Sequence, residues 1–190
     1  ASRPHAGSET LVAGCALVVN LQTIVSRRLD PADTAVVSVT EFVTDGTRNV
    51  LPSRTVLRGD VRSFRPEVSA EVERQLRVIA EGLAVAHRVS VEVAYTREFV
   101  PLINDAACAD EALAAGREVL GVDHVRVADK PITASEDFAH FLDHVPGCFA
   151  FIGNGVDAPP LHNPSYDFDD ANLLAGARFH AAIARRRLPR

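Results

Sequence analysis

The strongest constraint on the fold of this chain is an amphipathic segment that begins at Pro66. Proline suits the first position of a helix. The apolar residues that follow recur at helical spacing, at Val68, Val72, Leu76, Ile79 and Leu83. The segment therefore predicts a helix with one buried face. Residues 89–96 then alternate apolar and polar side chains, which predicts a strand with one solvent-facing side.

Three further elements are predicted before this helix. Ser8 can cap a helix that continues to about Arg28. Residues 35–43 are rich in Val, Thr and Phe and predict a strand, and a second strand follows over residues 55–64. The order helix, strand, strand, helix, strand is that of a ferredoxin-like unit without its first strand. That strand is expected before Ala1.

The second half of the chain alternates helices and strands. A helix is expected over residues 106–120, a short helix after the cap at residues 135–137, and a last helix from Asp169 to Arg187. Short strands are expected over residues 124–127 and 148–152. This order predicts part of a layered α/β domain, so the whole chain is expected to be α/β (α+β).

Composition and charge exclude some classes of binding partner. The net charge is −5 and the only basic run lies at residues 185–187, which argues against nucleic acid. No apolar run approaches the roughly 18 residues that cross a membrane, so no membrane partner is expected. The three cysteines form no CxxC motif and predict neither a disulfide framework nor a thiolate zinc site. We expect them to be small buried residues in a cytoplasmic protein.

His162 is the main candidate for metal chemistry. Neutral imidazole is a common zinc ligand, and Asn163-Pro164 favours a loop at this position. A surface or packing role is the alternative, because a protein metal site needs three or four ligands and one histidine cannot form it. His140 and His144 are four residues apart, but they lack the acidic partner of an HExxH arrangement.

Other polar residues have two interpretations each. Glu136 is either a helix cap or a carboxylate beside a ligand. Arg62 can bind a substrate carboxylate bidentately, or it can pair with Asp60 on the surface. Asn49 follows a turn and is by default a turn residue. The chain has no GxSxG, P-loop or GxGxxG motif, so serine hydrolase and nucleotide-binding functions lack support.

Eight short segments, in order, resemble the C-terminal half of the M20 metallopeptidases. The resemblance is greatest to the amidohydrolase branch, which includes hippurate hydrolase, N-acyl-amino-acid amidohydrolases and plant auxin-conjugate hydrolases. The segments are residues 4–7 (PHAG), 20–27 (NLQTIVSR), 38–40 (SVT), 49–52 (NVLP), 59–62 (GDVR), 135–138 (SEDF), 146–153 (PGCFAFIG) and 162–168 (HNPSYDF).

The resemblance implies two domains and a set of site residues. Residues 1–99 correspond to a ferredoxin-like lid or dimerisation domain that lacks its first strand, and residues 100–190 to the C-terminal part of the catalytic domain. His162 matches a metal ligand. Asn49 and Arg62 match substrate-binding lid residues, and Glu136 matches a position that lines the metal cleft.

The resemblance also implies an activity. Such an enzyme cleaves the amide bond of an N-acyl amino acid or a small peptide-like substrate, using two Zn or Mn ions, as a homodimer formed through the lid. The general base and the other metal ligands are expected upstream of Ala1, so no catalytic residue is predicted in this chain and it is expected to be inactive alone. The alternative is a non-enzymatic ferredoxin-like module for dimerisation or small-ligand binding. A peptidase of the same family would differ only in its substrate.

Overall fold

A computed structural model describes residues 2–188 of the chain. The chain forms two compact units. The first contains Ala1–Pro101 and Ile132–Ser135, and the second contains Leu102–Pro131 and Glu136–Arg190. The domains expected over residues 1–99 and 100–190, with their lid and catalytic roles, stay predictions.

The first unit contains two helices and a two-stranded sheet. After a short 3-10 turn at Pro4–Ala6, helix α1 (Thr10–Thr23) continues into a π-helical turn at Ile24–Arg28. Strands β1 (Ala35–Thr44) and β2 (Thr55–Ser63) come next, followed by helix α2 (Pro66–His87). These four elements were predicted. Ser8 is not the cap, because the helix begins after Glu9, whose side chain makes no capping hydrogen bond.

The two strands pair in antiparallel register, with Ala35 opposite Ser63 and Thr44 opposite Thr55. A bulge interrupts the register between Val39 and Glu41. Gly59 is paired with Val39, next to this bulge. A Cβ at Gly59 would collide with the backbone carbonyl oxygen of Ser38, so the strands can approach this closely only with glycine there.

The core of the first unit forms where α2 covers the sheet and the end of α1. Pro66 is the first residue of α2, as predicted. The predicted apolar face is also confirmed, because its residues are either buried or packed against the buried cluster. That cluster consists of Leu21, Ile24, Val37, Val68, Val72 and Ile79.

The first helical segment corrects one expectation. Among the described residues, Thr10–Arg28 forms a 19-residue helix that is long and apolar enough, by length and composition, to cross a membrane. The expectation that no segment reaches this length was therefore wrong. Leu21 and Ile24 nevertheless pack into the core of the first unit, which gives one face of the helix a role within the fold.

The predicted strand over residues 89–96 is wrong. In the described part of the chain, β1 and β2 pair only with each other, and residues 89–105 have no regular secondary structure. A strand is defined by a hydrogen-bonded neighbour. Here the Val93 carbonyl instead accepts a hydrogen bond from Nη1 of Arg77 at 3.0 Å. The ferredoxin-like arrangement consequently stays a prediction.

The second unit is built from helices and ordered loops. It contains α3 (Ala106–Leu120), a 3-10 turn at Val122–His124, the short α4 (Ala139–Leu142) and α5 (Ala171–Arg187). The strands predicted at 124–127 and 148–152 were wrong, because neither segment belongs to a ladder in the described residues. Apolar composition alone did not distinguish these extended loops from strands.

Helices α3 and α5 pack side by side in the second unit. A Cβ at Gly116 would lie 3.3 Å from Cγ2 of Val125 and 3.8 Å from a ring carbon of Phe179, so glycine allows a close approach here. Two ion pairs of 2.7 Å join the helices, Arg186 with Glu118 and Arg187 with Glu111. Two of the terminal arginines are thus engaged in the packing of these helices.

The cysteines correct a further expectation. Cys15 is exposed on α1, and Cys108 and Cys148 are half-buried. None of them is the fully buried small residue that the apolar neighbours in the sequence had suggested.

Candidate metal and substrate site

The loop around His162 is ordered by local hydrogen bonds. The Asn163 N–H donates to the Pro160 carbonyl at 3.1 Å, and the Tyr166 N–H donates to the Asn163 carbonyl at 2.9 Å. The Asn163 side chain accepts a 2.8 Å hydrogen bond from the Ser165 N–H. The turn predicted from Asn163-Pro164 is therefore present, and it leaves the His162 side chain exposed.

His162 adopts a left-handed backbone conformation, with φ of 67°. Non-glycine residues with positive φ are uncommon, and such strain persists only where the surrounding structure imposes it. Arg88 is the other described non-glycine residue with positive φ, and it terminates helix α2. His162 terminates no helix, so helix capping does not explain its conformation.

Asn154 fixes the chain between this loop and the last helix. Its side-chain amide donates to the Asp167 carbonyl at 2.7 Å, and its side-chain oxygen accepts from the Asp169 N–H at 2.8 Å. Asp169 in turn accepts from the Ala171 N–H at 2.9 Å, at the start of α5. Asn154 was not among the residues that the sequence indicated as functional. An asparagine between two glycines was the available signal.

Glu136 acts locally as a turn cap. Its Oε1 accepts a hydrogen bond of 3.3 Å from the Phe138 N–H, which closes a turn before the short helix. The N-cap of that helix is Phe138, without a side-chain capping bond, so the helix-cap interpretation of Glu136 was wrong. The helix that follows is shorter than expected and ends at Leu142, so His140 and His144 do not lie together on one helix. The half-buried Glu136 carboxylate retains a second oxygen for another partner.

Asn49 and Arg62 lie in the first unit. Asn49 is in a tight turn, closed by two 3.2 Å backbone hydrogen bonds between Thr47 and Val50, as its default interpretation predicted. Arg62 Nε pairs with Asp60 at 2.5 Å, which is its predicted surface pairing. A guanidinium has five N–H donors, so this ion pair leaves others for a carboxylate.

The metal-ligating residues of the described chain do not converge. Among residues 2–188, no group of three or more His, Cys, Asp or Glu side chains could hold a metal ion. His162 offers a suitable imidazole, exposed on an ordered loop, but a structural or catalytic zinc site needs at least three protein ligands. The residues present therefore fit one ligand of a metal site.

Asn104 anchors another part of the second unit. Its side-chain amide donates to the Phe149 carbonyl at 3.0 Å, and its side-chain oxygen accepts from the Phe149 N–H at 2.8 Å. Phe149 packs against Phe138, with 5.6 Å between ring centroids. Asn104 thus makes hydrogen bonds that hold the segment leading to Asn154.

Comparison with known proteins identifies the family. The model of peptidase family M20/M25/M40 matches residues 4–186. The chain belongs to this family. The resemblance drawn from the eight short segments is therefore confirmed, and the matched range of the M20 chain extends over both units.

Relatives of the chain include a deacetylase and a hydrolase. The chain is 33% identical over 189 residues to an N-acetyl-L-cysteine deacetylase of Bacillus subtilis, covering 99% of this chain and 44% of the relative. It is 30% identical over 183 residues to a hippurate hydrolase of Campylobacter jejuni, covering 96% and 48%. The chain thus spans about half the length of these relatives.

A solved structure supports the fold. The chain resembles a Bacillus subtilis protein described as a dinuclear metal binding peptidase from the M20 family, with a TM-score of 0.75. The match has 24% identity and covers 93% of this chain and 45% of that one. Both units of this chain therefore have counterparts in an M20 peptidase. These comparisons do not favour a non-enzymatic module.

Proposed function

We propose that this chain is part of a metal-dependent amidohydrolase that cleaves the amide bond of N-acyl amino acids. The support is the family match over residues 4–186 together with relatives named as a deacetylase and a hippurate hydrolase. Both named activities release an acyl group from an amino acid. The substrate class of this chain is proposed by analogy with them.

The conformation of His162 is the single observation that best supports a ligand role. Its positive φ and exposed imidazole present a nitrogen donor from a loop that Asn154 and Asn163 hold in place. A metal ligand must be held rigidly, because a site is formed only when its donors are correctly placed. The structural description of an M20 relative as dinuclear metal binding agrees with this role.

The other predicted residues have distinct parts in the proposal. Arg62 binds the substrate carboxylate through the N–H groups that do not contact Asp60, and Asn49 contributes its side-chain amide. Glu136 lines the cleft with its half-buried carboxylate. Zn or Mn, as a pair of ions, would supply Lewis-acid activation of water and of the amide carbonyl.

The remaining ligands and the general base are proposed to come from sequence outside these 190 residues. His162 alone cannot hold a metal, and a histidine whose ring nitrogen binds the metal is not available as the base for the attacking water. We accordingly propose that the 190-residue chain is inactive by itself. The complete enzyme is proposed to be a cytoplasmic homodimer whose subunits associate through the first unit.

The test compares two proteins: the 190-residue chain, and the longer enzyme to which we propose that it belongs. Both are assayed on a panel of N-acetyl and N-benzoyl amino acids with added Zn or Mn, and metal content is measured after dialysis. We expect hydrolysis and bound metal only in the longer protein. His162→Asn in that protein should reduce kcat/KM by at least about a hundredfold, since it removes a metal ligand.

His144→Asn is the matched control, because His144 is also an exposed histidine of the second unit. It should leave both activity and metal content near those of the unsubstituted protein. Full activity with His162→Asn would contradict the ligand assignment. An inactive, metal-free longer protein would contradict the proposed function as a whole.

A further inference from the structure

Cys108 and Cys148 lie in one neighbourhood of the second unit. The Asp105 N–H donates to the Gly147 carbonyl at 2.9 Å, which places the start of α3 beside the residue before Cys148. Asp105 is also the N-cap of α3, and its side chain accepts a 2.9 Å hydrogen bond from the Cys108 N–H. Cys108 is therefore on the first turn of α3, three residues after the residue that is bonded to the Cys148 segment.

The hydrogen bonds of Asn104 hold Phe149, the residue that follows Cys148. Asn104 makes two hydrogen bonds with the Phe149 backbone, at 2.8 and 3.0 Å. The residues before and after Cys148 are thus both tied to the residues that precede α3. The position of Cys148 relative to this turn is determined by three hydrogen bonds.

A guanidinium contacts Cys108. Nη2 of Arg187 lies 3.2 Å from the Cys108 sulfur, and Glu111 orients the same guanidinium through bonds of 2.7 Å. The hydrogen bonds that the guanidinium donates to Glu111 and then to Cys108 raise the pKa of Arg187, so the guanidinium stays charged. Positive charge beside a cysteine sulfur stabilises the thiolate, which is the form that reacts with peroxides.

Cys148 has different surroundings. Burial raises the pKa of its thiol, and the charge of Cys108 raises it further. The backbone bonds of Asp105 and the side-chain bonds of Asn104 hold the Cys148 segment beside the start of α3, whose first turn carries Cys108. Cys108 contacts a guanidinium, whereas Cys148 is a half-buried thiol, and this difference is typical of a reactive and a resolving cysteine.

We propose that Cys108 and Cys148 form a peroxide-sensitive thiol pair. The Cys108 thiolate attacks one oxygen of hydrogen peroxide, the O–O bond breaks, and sulfenic acid and hydroxide form. The Cys148 sulfur then attacks the Cys108 sulfur, the S–O bond breaks, and the hydroxyl leaves as water with the proton of Cys148. The two thiols are oxidised to a disulfide and the peroxide is reduced to water.

The pair is tested on the unsubstituted chain. The reduced protein is exposed to hydrogen peroxide, remaining thiols are alkylated, and the protein is digested with trypsin without reductant. We expect a disulfide between the peptides of residues 98–117 and 127–178. Cys15→Ser should yield the same linked peptides, because Cys15 is an exposed residue of α1. Cys108 sulfinic acid with fully alkylated Cys148, or a link to Cys15 alone, would overturn the proposal.

The effect of Arg187 on the reactivity of Cys108 is tested against a control substitution at the neighbouring Arg186. Arg187→Gln should slow the loss of the Cys108 thiol on the order of fivefold, because the thiolate loses its adjacent charge. Arg186→Gln removes the ion pair with Glu118 and not the contact with Cys108, so the rate should stay within about twofold. Equal slowing in both variants would show a purely structural effect and would overturn the assignment to Arg187.

Discussion

At the residue scale, the structure shows backbone conformations and hydrogen bonds of loop residues that sequence patterns do not reveal. His162 has a positive φ on an ordered loop, and Asn154 holds the segment between that loop and α5 through its side-chain amide. The histidine was visible in the sequence as a candidate ligand. The asparagine was not, because its partners are backbone atoms 13 and 15 residues away.

Two glycines provide a residue-scale prediction. Gly59→Ala should lower the free energy of unfolding by about 1–3 kcal/mol, because the new Cβ would overpack against the Ser38 carbonyl. Gly82→Ala should raise it by about 0.5–1 kcal/mol, because alanine is the better helix former and nothing lies within 4 Å of its Cβ position. Urea unfolding measures both changes. A destabilised Gly82→Ala variant would contradict the open packing around that residue.

At the element scale, α2 and the segment after α1 determine the first unit. The apolar face of α2 was readable from its spacing because helical periodicity is a local property of the sequence. The core position of Ile24 was harder to predict from the sequence. It begins a π-helical turn and is fully buried against the same core.

Ile24→Ala provides the element-scale prediction. We expect a loss of about 2–5 kcal/mol in the free energy of unfolding, because the substitution leaves a cavity in a packed core. Val25→Ala is the neighbouring control. Val25 is 41% exposed, and we expect a much smaller loss. Chemical denaturation with circular dichroism measures both variants, and equal losses would refute the position of Ile24 in the core.

At the scale of the whole molecule, the predicted site residues are divided between the two compact units. Asn49 and Arg62 belong to the first unit, and Glu136 and His162 to the second. Both units carry carboxyl groups whose pKa is lowered by hydrogen bonds or ion pairs, which links the stability of the molecule to pH. They are Asp45, Glu67, Glu71, Glu73 and Asp105.

Acid stability is the prediction at this scale. Hydrogen bonds from Arg74 and then Gln75 lower the pKa of Glu71 to about 2 from its ordinary 4.5. A carboxyl with a lowered pKa stabilises the folded state above its unfolded pKa, and that contribution is lost as the pH falls through the folded pKa. We therefore expect the urea midpoint to fall between pH 5 and pH 2.

Glu71→Gln should make this fall smaller, because glutamine carries no proton-linked charge. Glu81→Gln is the control on the same helix, at an exposed position. The midpoints are measured at pH 6 and pH 3 for all three proteins. An unchanged pH dependence in Glu71→Gln would contradict the part that its ion pair with Arg74 plays in acid stability.

The sequence by itself determined the family and the elements with local periodicity. Eight short segments in order indicated the M20 family. The spacing of apolar residues after Pro66 correctly predicted helix α2, because helical periodicity is a property of the local sequence. The strand predictions at 89–96, 124–127 and 148–152 were wrong. Tertiary structure alone decided these segments, because a strand needs a hydrogen-bonded neighbour. It also decided that Cys108 contacts Arg187, since residues 79 positions apart meet only when α3 and α5 pack together.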